Sequence, residues 1–432
     1  MCLLKLFSTN PDFSYILYKN PESGMQLRSI RQGYAYGFYS THKPNTYIIY
    51  FRDGDNEMSY KEYRDQNYEY LNKLRYMSPI FVLNAISEFL SSTVNAHLEK
   101  DIANTFNHKL VLESVYMDNR TFKTMERLVS CFPNFKITVT ERITTVYKVK
   151  IETTTSLYQL LNFAVTYFGL ISMLNQNDLD INESLIERLI RSANIVDAPY
   201  YVRYIVSSRV LTNSQLFKKF LPMLQKPNMV FKYGNTALQR RQHIRGLIQL
   251  DKNVIDIGCG SGFYLTYYAE TLLEKNKELK YYGIDIDENE LTIVRKKVIE
   301  KGLTNVVVLN SHEKLTEHID SESLYDVIVT EVIEHMDKNV SQDIIRWVLQ
   351  NVNYNKIIIT TPNFDFNVNY HLKEFRHLDH KWELTGKQFK EYVDETLGHE
   401  TLASQLKITY LNIGDQVDNI AVSQGIMIQK ID

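Results

Sequence analysis

The chain of 432 residues is poor in several features, and each shortage narrows its chemistry. Cysteine occurs three times, at Cys2, Cys131 and Cys259, with no Cys-x-x-Cys pair; this excludes a cysteine-built metal centre and suits a reducing compartment. No apolar run approaches the roughly 20 residues needed to span a bilayer. The opening Met1-Cys2-Leu3-Leu4-Lys5-Leu6-Phe7 is too short and too soon interrupted for a secretory signal, so the expected location is cytoplasmic, with no membrane partner. Net charge is close to zero: 49 Lys and Arg against 51 Asp and Glu leave −2, and global charge makes no case for nucleic acid. Acid is missing locally, however. Residues 198–250 hold no Asp or Glu but include Arg203, Arg209, Lys218, Lys219, Lys226, Lys232, Arg240, Arg241 and Arg245, interleaved with tyrosine and phenylalanine. Such a stretch suits phosphates and stacked bases; the plainer reading is a solvated helical face and a linker marked by Pro222 and Pro227.

The length is enough for two domains, each with its own core. The first half is mixed. Gly33-Tyr34-Ala35-Tyr36-Gly37-Phe38-Tyr39 and Thr46-Tyr47-Ile48-Ile49-Tyr50-Phe51 are β-forming runs either side of a Lys-Pro-Asn turn and predict a hairpin. Ser78-Pro79 opens a predicted buried helix over residues 78–90, because proline is favoured at the first helical position. Two short strands follow at 136–140 and 146–151, then helices over 156–175 and 183–193. This half is α+β in character and carries no motif from which a chemistry can be derived.

From Asn253 onward strands and helices alternate. Apolar strands are predicted at 254–257, 280–285, 305–309, 325–329 and 356–360, with two more strand-like runs at 406–413 and 420–431. This alternation argues for a doubly wound parallel sheet with its ligand at the carboxyl ends of the strands. The expected organisation is an α+β domain over 1–197, a basic linker region over 198–235, and an α/β domain over 236–432.

Asp256-Ile257-Gly258-Cys259-Gly260-Ser261-Gly262 lies at the first strand-to-helix turn, where absent side chains let a ligand approach backbone amides. The spacing is Gly-x-Gly-x-Gly, an acid precedes it, and Asp285 ends the second strand, where a carboxylate can accept from both hydroxyls of a ribose. This pattern resembles the Rossmann-like class I S-adenosylmethionine-dependent methyltransferases. The resemblance implies cofactor contacts at Asp256, Gly258, Gly260, Gly262 and Asp285, with Ser311 near the adenine.

After the fourth strand stands Thr330-Glu331-Val332-Ile333-Glu334-His335-Met336. Glu331, Glu334 and His335 have i, i+3, i+4 spacing, which predicts one face of a helical turn carrying a mixed oxygen and nitrogen shell. In isolation such a face is most simply solvated, but its place beside a donor loop argues for a metal. Thr361-Pro362-Asn363-Phe364-Asp365-Phe366-Asn367 and Arg376-His377-Leu378-Asp379-His380-Lys381-Trp382-Glu383-Leu384-Thr385 follow in order. Together these segments resemble the small-RNA 3′-terminal ribose 2′-O-methyltransferases of the Hua enhancer family. The resemblance implies a divalent metal on Glu331, Glu334, His335 and His380, gripping the 2′ and 3′ hydroxyls at an RNA 3′ end. His380 is preferred to His377 as the fourth ligand. Manganese suits two imidazoles and two carboxylates, with cobalt or magnesium as alternatives. His335 and His380 are both candidates for general base, and Arg240, Arg241 and Arg376 for RNA contact. Trp382, Leu384 and Gly386 depart from the family pattern, where Phe, Trp and Arg are usual.

Tyr15-Ile16-Leu17-Tyr18-Lys19-Asn20-Pro21 and the Gly33–Tyr39 run resemble the opening motifs of the longer bacterial members, whose extra domain activates the ligase of a polynucleotide kinase-phosphatase-ligase in RNA repair. Two other functions are compatible with the same residues. One is an RNA-repair scaffold with secondary catalysis; the other is a small-molecule diol O-methyltransferase, against which the acid-free basic stretch argues.

Overall fold

The computed structural model describes residues 2–30, 33–52, 77–175, 182–398 and 406–431. It divides into two compact units, Met1–Leu224 and Gln225–Asp432. In the first, strands β1 (Cys2–Ser8), β2 (Gln26–Ile30), β3 (Gly33–Ser40), β4 (Lys43–Arg52), β5 (His108–Tyr116), β6 (Lys136–Ile143) and β7 (Val146–Thr153) form one antiparallel sheet of order β2-β3-β4-β1-β5-β7-β6. Alternation along the strands sorts the side chains between its faces. Leu4, Leu6, Ile49, Phe51, Leu110, Leu112, Val149 and Ile151 are buried in the core, while their neighbours in sequence face the other way.

The expected hairpin is β3 and β4, but its turn falls earlier, at Thr41-His42, because Ser40 already pairs with Lys43. Lys43, Pro44 and Asn45 therefore open β4. The Ser-Pro signal does start a helix, Pro79–Asn84, with the Ser78 side chain accepting from the Ile80 amide. Among the described residues one helix, Leu157–Leu174, is long and apolar enough to cross a membrane. It is the core helix of this unit, packed by Pro79–Asn84, Ser91–Asn95, Glu183–Ile195 and Tyr200–Val210, so burial on all sides accounts for its composition.

That packing also corrects the linker expected over 198–235. Residues 198–224 form the helices Tyr200–Val210 and Ser214–Leu224, which belong to the first unit. Arg203 is 0% exposed: its guanidinium donates to the carbonyls of Ala198 (2.8 Å) and Leu224 (3.0 Å) and to Asn194 Oδ1 (2.5 Å). It ties helix ends together, and the basic stretch is divided between two units.

In the second unit the strands are β8 (Met229–Val230), β9 (Asn253–Ile257), β10 (Tyr281–Ile284), β11 (Val306–Leu309), β12 (Tyr325–Thr330), β13 (Tyr354–Pro362), β14 (Leu406–Val417) and β15 (Ile420–Lys430). They order as β11-β10-β9-β12-β13-β15-β14-β8, parallel from β11 to β13, with β15, β14 and β8 antiparallel. The chain winds outward from β9 through β10 to β11, then returns to β12 on the other side. The carboxyl ends of β9 and β12 thus flank the point where strand order reverses, which is where open α/β sheets bind ligands.

Candidate active site

The glycine loop is held open by its backbone. Gly258, Gly260 and Gly262 have φ of +73°, +50° and +80°, a region costly for residues with a Cβ. The amides of Gly258 and Cys259 both donate to the carbonyl of Ile284, at 2.8 and 2.9 Å, which ties the loop to the end of β10. A Cβ on Gly258 would lie 2.3 Å from Cγ2 of Val332, so this glycine lets the loop pack directly on the segment that carries Glu331, Glu334 and His335. At Gly260 a Cβ would meet nothing within 4 Å, leaving room above the backbone for a ligand.

The two acids of the loop have different surroundings. Asp285 accepts from the amides of Gly260 (2.8 Å) and Asp287 (2.9 Å) and is half-buried at the crevice. Asp256 is buried within the core, with one oxygen on the Tyr281 hydroxyl and Oδ1 without a partner among the described residues. Burial is the main cause that pushes its carboxyl up to about 7. Ser311 follows β11 and donates to the Glu313 carboxylate. Ile286, next to Asp285, is 90% exposed; this uncovered apolar side chain at the crevice edge was not anticipated from the sequence.

The acidic segment differs from the expected helical face. Glu331 follows β12 directly in a left-handed conformation, φ +55°, with its amide donating to the Thr360 carbonyl at 2.9 Å. A single 3-10 turn, Ile333–His335, follows, and the long helix begins only at Lys338. Strand pairing and the packing of Val332 on Gly258 override the helical spacing. Glu334 is 0% exposed; Oε2 accepts from the Thr361 hydroxyl at 3.1 Å, whereas Oε1 has no partner among the described residues. Burial first, and then the Glu331 charge, hold its carboxyl well above the usual range. Glu331 Oε1 accepts from the Thr360 hydroxyl (3.2 Å), and Oε2 pairs with Arg240 Nη1 at 3.1 Å.

The later segment is stitched onto this turn. The Lys381 amide donates to the Glu334 carbonyl at 2.8 Å, and Trp382 Nε1 donates to the Met336 carbonyl at 2.7 Å. These bonds bring His380 against His335, with ring centroids 4.8 Å apart. His380 Nδ1 lies 2.6 Å from Glu383 Oε1, and Glu383, also 0% exposed in its side chain, accepts in addition from Asn367 Nδ2 and the Arg376 amide, each at 2.6 Å. His335 is 38% exposed in its side chain and pairs through Nδ1 with Asp379 at 3.2 Å.

Ligand atoms of Glu334, His335 and His380 lie within 4.8 Å of one another. Glu331 is beside this group but turned to Arg240 and Thr360, and the exposed His377 stands outside it. An unpartnered buried carboxylate oxygen, with an imidazole whose other nitrogen is fixed by Glu383, fits the donor set of a divalent transition metal. Sequence reasoning passed over Glu383, although it stands three residues after His380 in the same motif.

Two of the arginines expected to meet RNA are engaged within the protein. Arg240 is the partner of Glu331, and Arg376 donates to Asn367 Oδ1 and to the Asn363 carbonyl, each at 2.6 Å. Arg241 stacks its guanidinium over Phe263, 4.8 Å from the ring centroid.

Strand order, loop and crevice define the class: a Rossmann-like methyltransferase-type domain preceded by an α+β unit. A family model described as a methyltransferase domain matches residues 248–418. The Hen1 N-terminal domain model matches residues 3–229, more than half of the chain, and the chain belongs to that family. The Small RNA 2′-O-methyltransferase of Arabidopsis thaliana is 29% identical over 164 residues, which is 33% of this chain and only 17% of the plant protein. The Demethylmenaquinone methyltransferase of Listeria monocytogenes is 28% identical over 99 residues, 23% of this chain and 40% of that protein. A chain of the Pnkp1/Rnl/Hen1 RNA repair complex shares the fold over 99% of this chain and 100% of its own length, with a TM-score of 0.80 and 21% identity.

Proposed function

We propose that this protein transfers a methyl group to the 2′ hydroxyl of the 3′-terminal nucleotide of RNA, with a divalent metal at Glu334, His335 and His380, during RNA repair. The observation that carries the reading is the packing of the glycine loop directly on the buried Glu334 segment, joined there by His380 from a distant part of the chain. S-adenosylmethionine, bound along Gly258–Gly262 and Asp285, supplies an activated methyl group. A divalent cation supplies Lewis acidity, which makes a ribose hydroxyl a better nucleophile at neutral pH.

The chain's own residues do the rest. Gly260 leaves space at the crevice, and Asp285 presents a carboxylate to a ribose. Glu383 would fix the ring of His380 through Nδ1 so that Nε2 is left for the metal, and Asp379 would hold His335 through Nδ1 in the same way. Arg240 offsets the charge of Glu331, which lets two carboxylates stand together in a poorly hydrated site.

The first unit is assigned the partner role, engaging the ligase of a polynucleotide kinase-phosphatase-ligase; membership of the Hen1 N-terminal family and the likeness in fold to a chain of an RNA repair complex support this. The test is direct. RNA with a free 3′ end, incubated with the donor and Mn²⁺, should become resistant to periodate and β-elimination; continued sensitivity across Mn²⁺, Co²⁺ and Mg²⁺ refutes the activity. Glu334→Gln and His380→Asn should abolish resistance while binding of S-adenosylhomocysteine persists.

A further inference from the structure

In the first unit the sheet face that carries Leu4, Leu6, Ile49 and Leu110 is buried in the core, and charge on the opposite face is strongly segregated among the described residues. Strand register places Lys5 on β1, Arg52 on β4, Lys109 and Glu113 on β5, Lys148, Lys150 and Glu152 on β7, and Lys136 and Arg142 on β6 on that same face. Among the described strand residues this makes seven cations against two carboxylates, in a chain whose net charge is −2. The carboxylates sit inside the cationic field. Glu113 contacts Lys5 (2.8 Å), Lys148 (2.9 Å) and Arg142 (3.5 Å), and Glu152 contacts Lys150 (2.8 Å) and Lys109 (4.0 Å). They hold the lysines apart from one another without neutralising the face. Exposed pairs of this kind are worth little, so the cations remain available to an external anion.

At one corner the face dips into a cavity of about 420 Å³, walled by Phe7, Lys109, Pro133, Asn134, Lys136 and Glu152. That volume is in the range of pockets that hold small ligands. The cavity therefore combines two lysines, an aromatic ring and an amide side chain. Lys109 lies over the Phe7 ring, 5.3 Å from its centroid.

We propose that this cationic face of the first unit's sheet binds single-stranded RNA, its lysines following the phosphates and the Phe7 cavity taking one nucleotide. A cationic field beside an aromatic ring is what single strands require, since phosphates repeat along them and every base presents a π face. The choice of RNA among polyanions rests on the substrate proposed above, but the site is distinct from the catalytic crevice.

The experiment measures binding of a fluorescein-labelled oligouridylate to the full chain by anisotropy across a salt series, with no methyl donor present. Lys109→Gln/Lys136→Gln/Lys150→Gln together should weaken binding by on the order of tenfold and flatten the salt slope by about 2, at roughly 0.7 for each phosphate no longer neutralised. Phe7→Leu, which keeps apolar volume but removes the ring, should weaken binding with the slope intact. Glu113→Gln should tighten it. An oligouridylate ending in a 3′ phosphate, which has no terminal diol, should bind as the free-ended strand does, which separates this surface from the methyl-transfer reading whether or not that reading survives. Melting temperature and S-adenosylhomocysteine affinity report on folding. RNA binding with unchanged affinity and slope in the triple lysine variant overturns the proposal; so does loss of ligase association with RNA binding intact, which would give the face to an acidic protein surface.

Discussion

Glu383→Gln isolates the residue on which the geometry of His380 depends. Glu383 Oε1 accepts from His380 Nδ1 and the Arg376 amide, and Oε2 from Asn367 Nδ2, all at 2.6 Å. Glutamine has one acceptor oxygen in place of two. If that oxygen stays on His380 and Arg376, the new amide meets the amide of Asn367, donor against donor. Asn367 cannot turn over in response, because its Oδ1 already accepts from Arg376 Nε at 2.6 Å. If the glutamine turns instead, the imidazole loses its anchor. Hydrogen bonds to a buried charge contribute about 1.5–3 kcal/mol each, and loss of a partner behind a metal-binding histidine costs about 10–100-fold in affinity or activity. The expected result is a rise of about 10–100-fold in the Mn²⁺ concentration for half-maximal methyl transfer, scored by periodate resistance. S-adenosylhomocysteine affinity should stay within about twofold, since the hydrogen bonds of Glu383 among the described residues go to His380, Arg376 and Asn367. A Glu383→Gln protein with unchanged Mn²⁺ dependence and rate would refute the reasoning, because His380 would then not be positioned through this carboxylate.

Other perturbations probe the scaffold. Gly258→Ala forces a Cβ to 2.3 Å from Val332 at φ +73°, so we expect about 2–4 kcal/mol less stability and weaker binding of both donor analogue and Mn²⁺; unchanged melting would refute it. Arg203→Met orphans two carbonyls and Asn194 in the first unit and should cost about 2–4 kcal/mol in denaturant unfolding while leaving RNA affinity unaltered; lost RNA affinity in a folded variant would return this arginine to a binding role. Asp256 carries a pH dependence. Its carboxyl is pushed up to about 7 from an ordinary 3.8, so the folded protein holds a proton that the unfolded chain releases. Stability should therefore fall as pH rises from about 4 to about 7 and level off above, by up to roughly 4 kcal/mol at 1.36 kcal/mol per unit. Asp256→Asn should remove this fall, so its advantage over the natural protein in chemical unfolding grows between about pH 4 and pH 7; a gap that does not vary with pH contradicts the burial argument.

The parallel sheet was legible because its strands are short apolar runs, those of β9, β10 and β12 followed at once by glycine or an acid, and doubly wound topology admits few arrangements of such runs. The site was legible as a set of residue types but not as a geometry. Spacing placed Glu331, Glu334 and His335 on one helical face; the chain instead breaks at a left-handed Glu331 and turns once, so Glu334 reaches the cluster while Glu331 turns to Arg240. Nothing periodic in the sequence encodes the bonds from Lys381 and Trp382 that bring His380 to this turn. Charge was misread for a related reason. A window along the chain finds the acid-free stretch of residues 198–250, yet Arg203 from that window is interior and Arg240 is paired with a carboxylate of the same unit. The strongest cationic surface among the described strands is assembled from alternate positions of β1, β4, β5, β6 and β7, where each lysine is followed by an apolar or inward-facing residue and no window stands out. A pleat sums charge across strands, so a near-neutral chain can present a field that its linear sequence conceals.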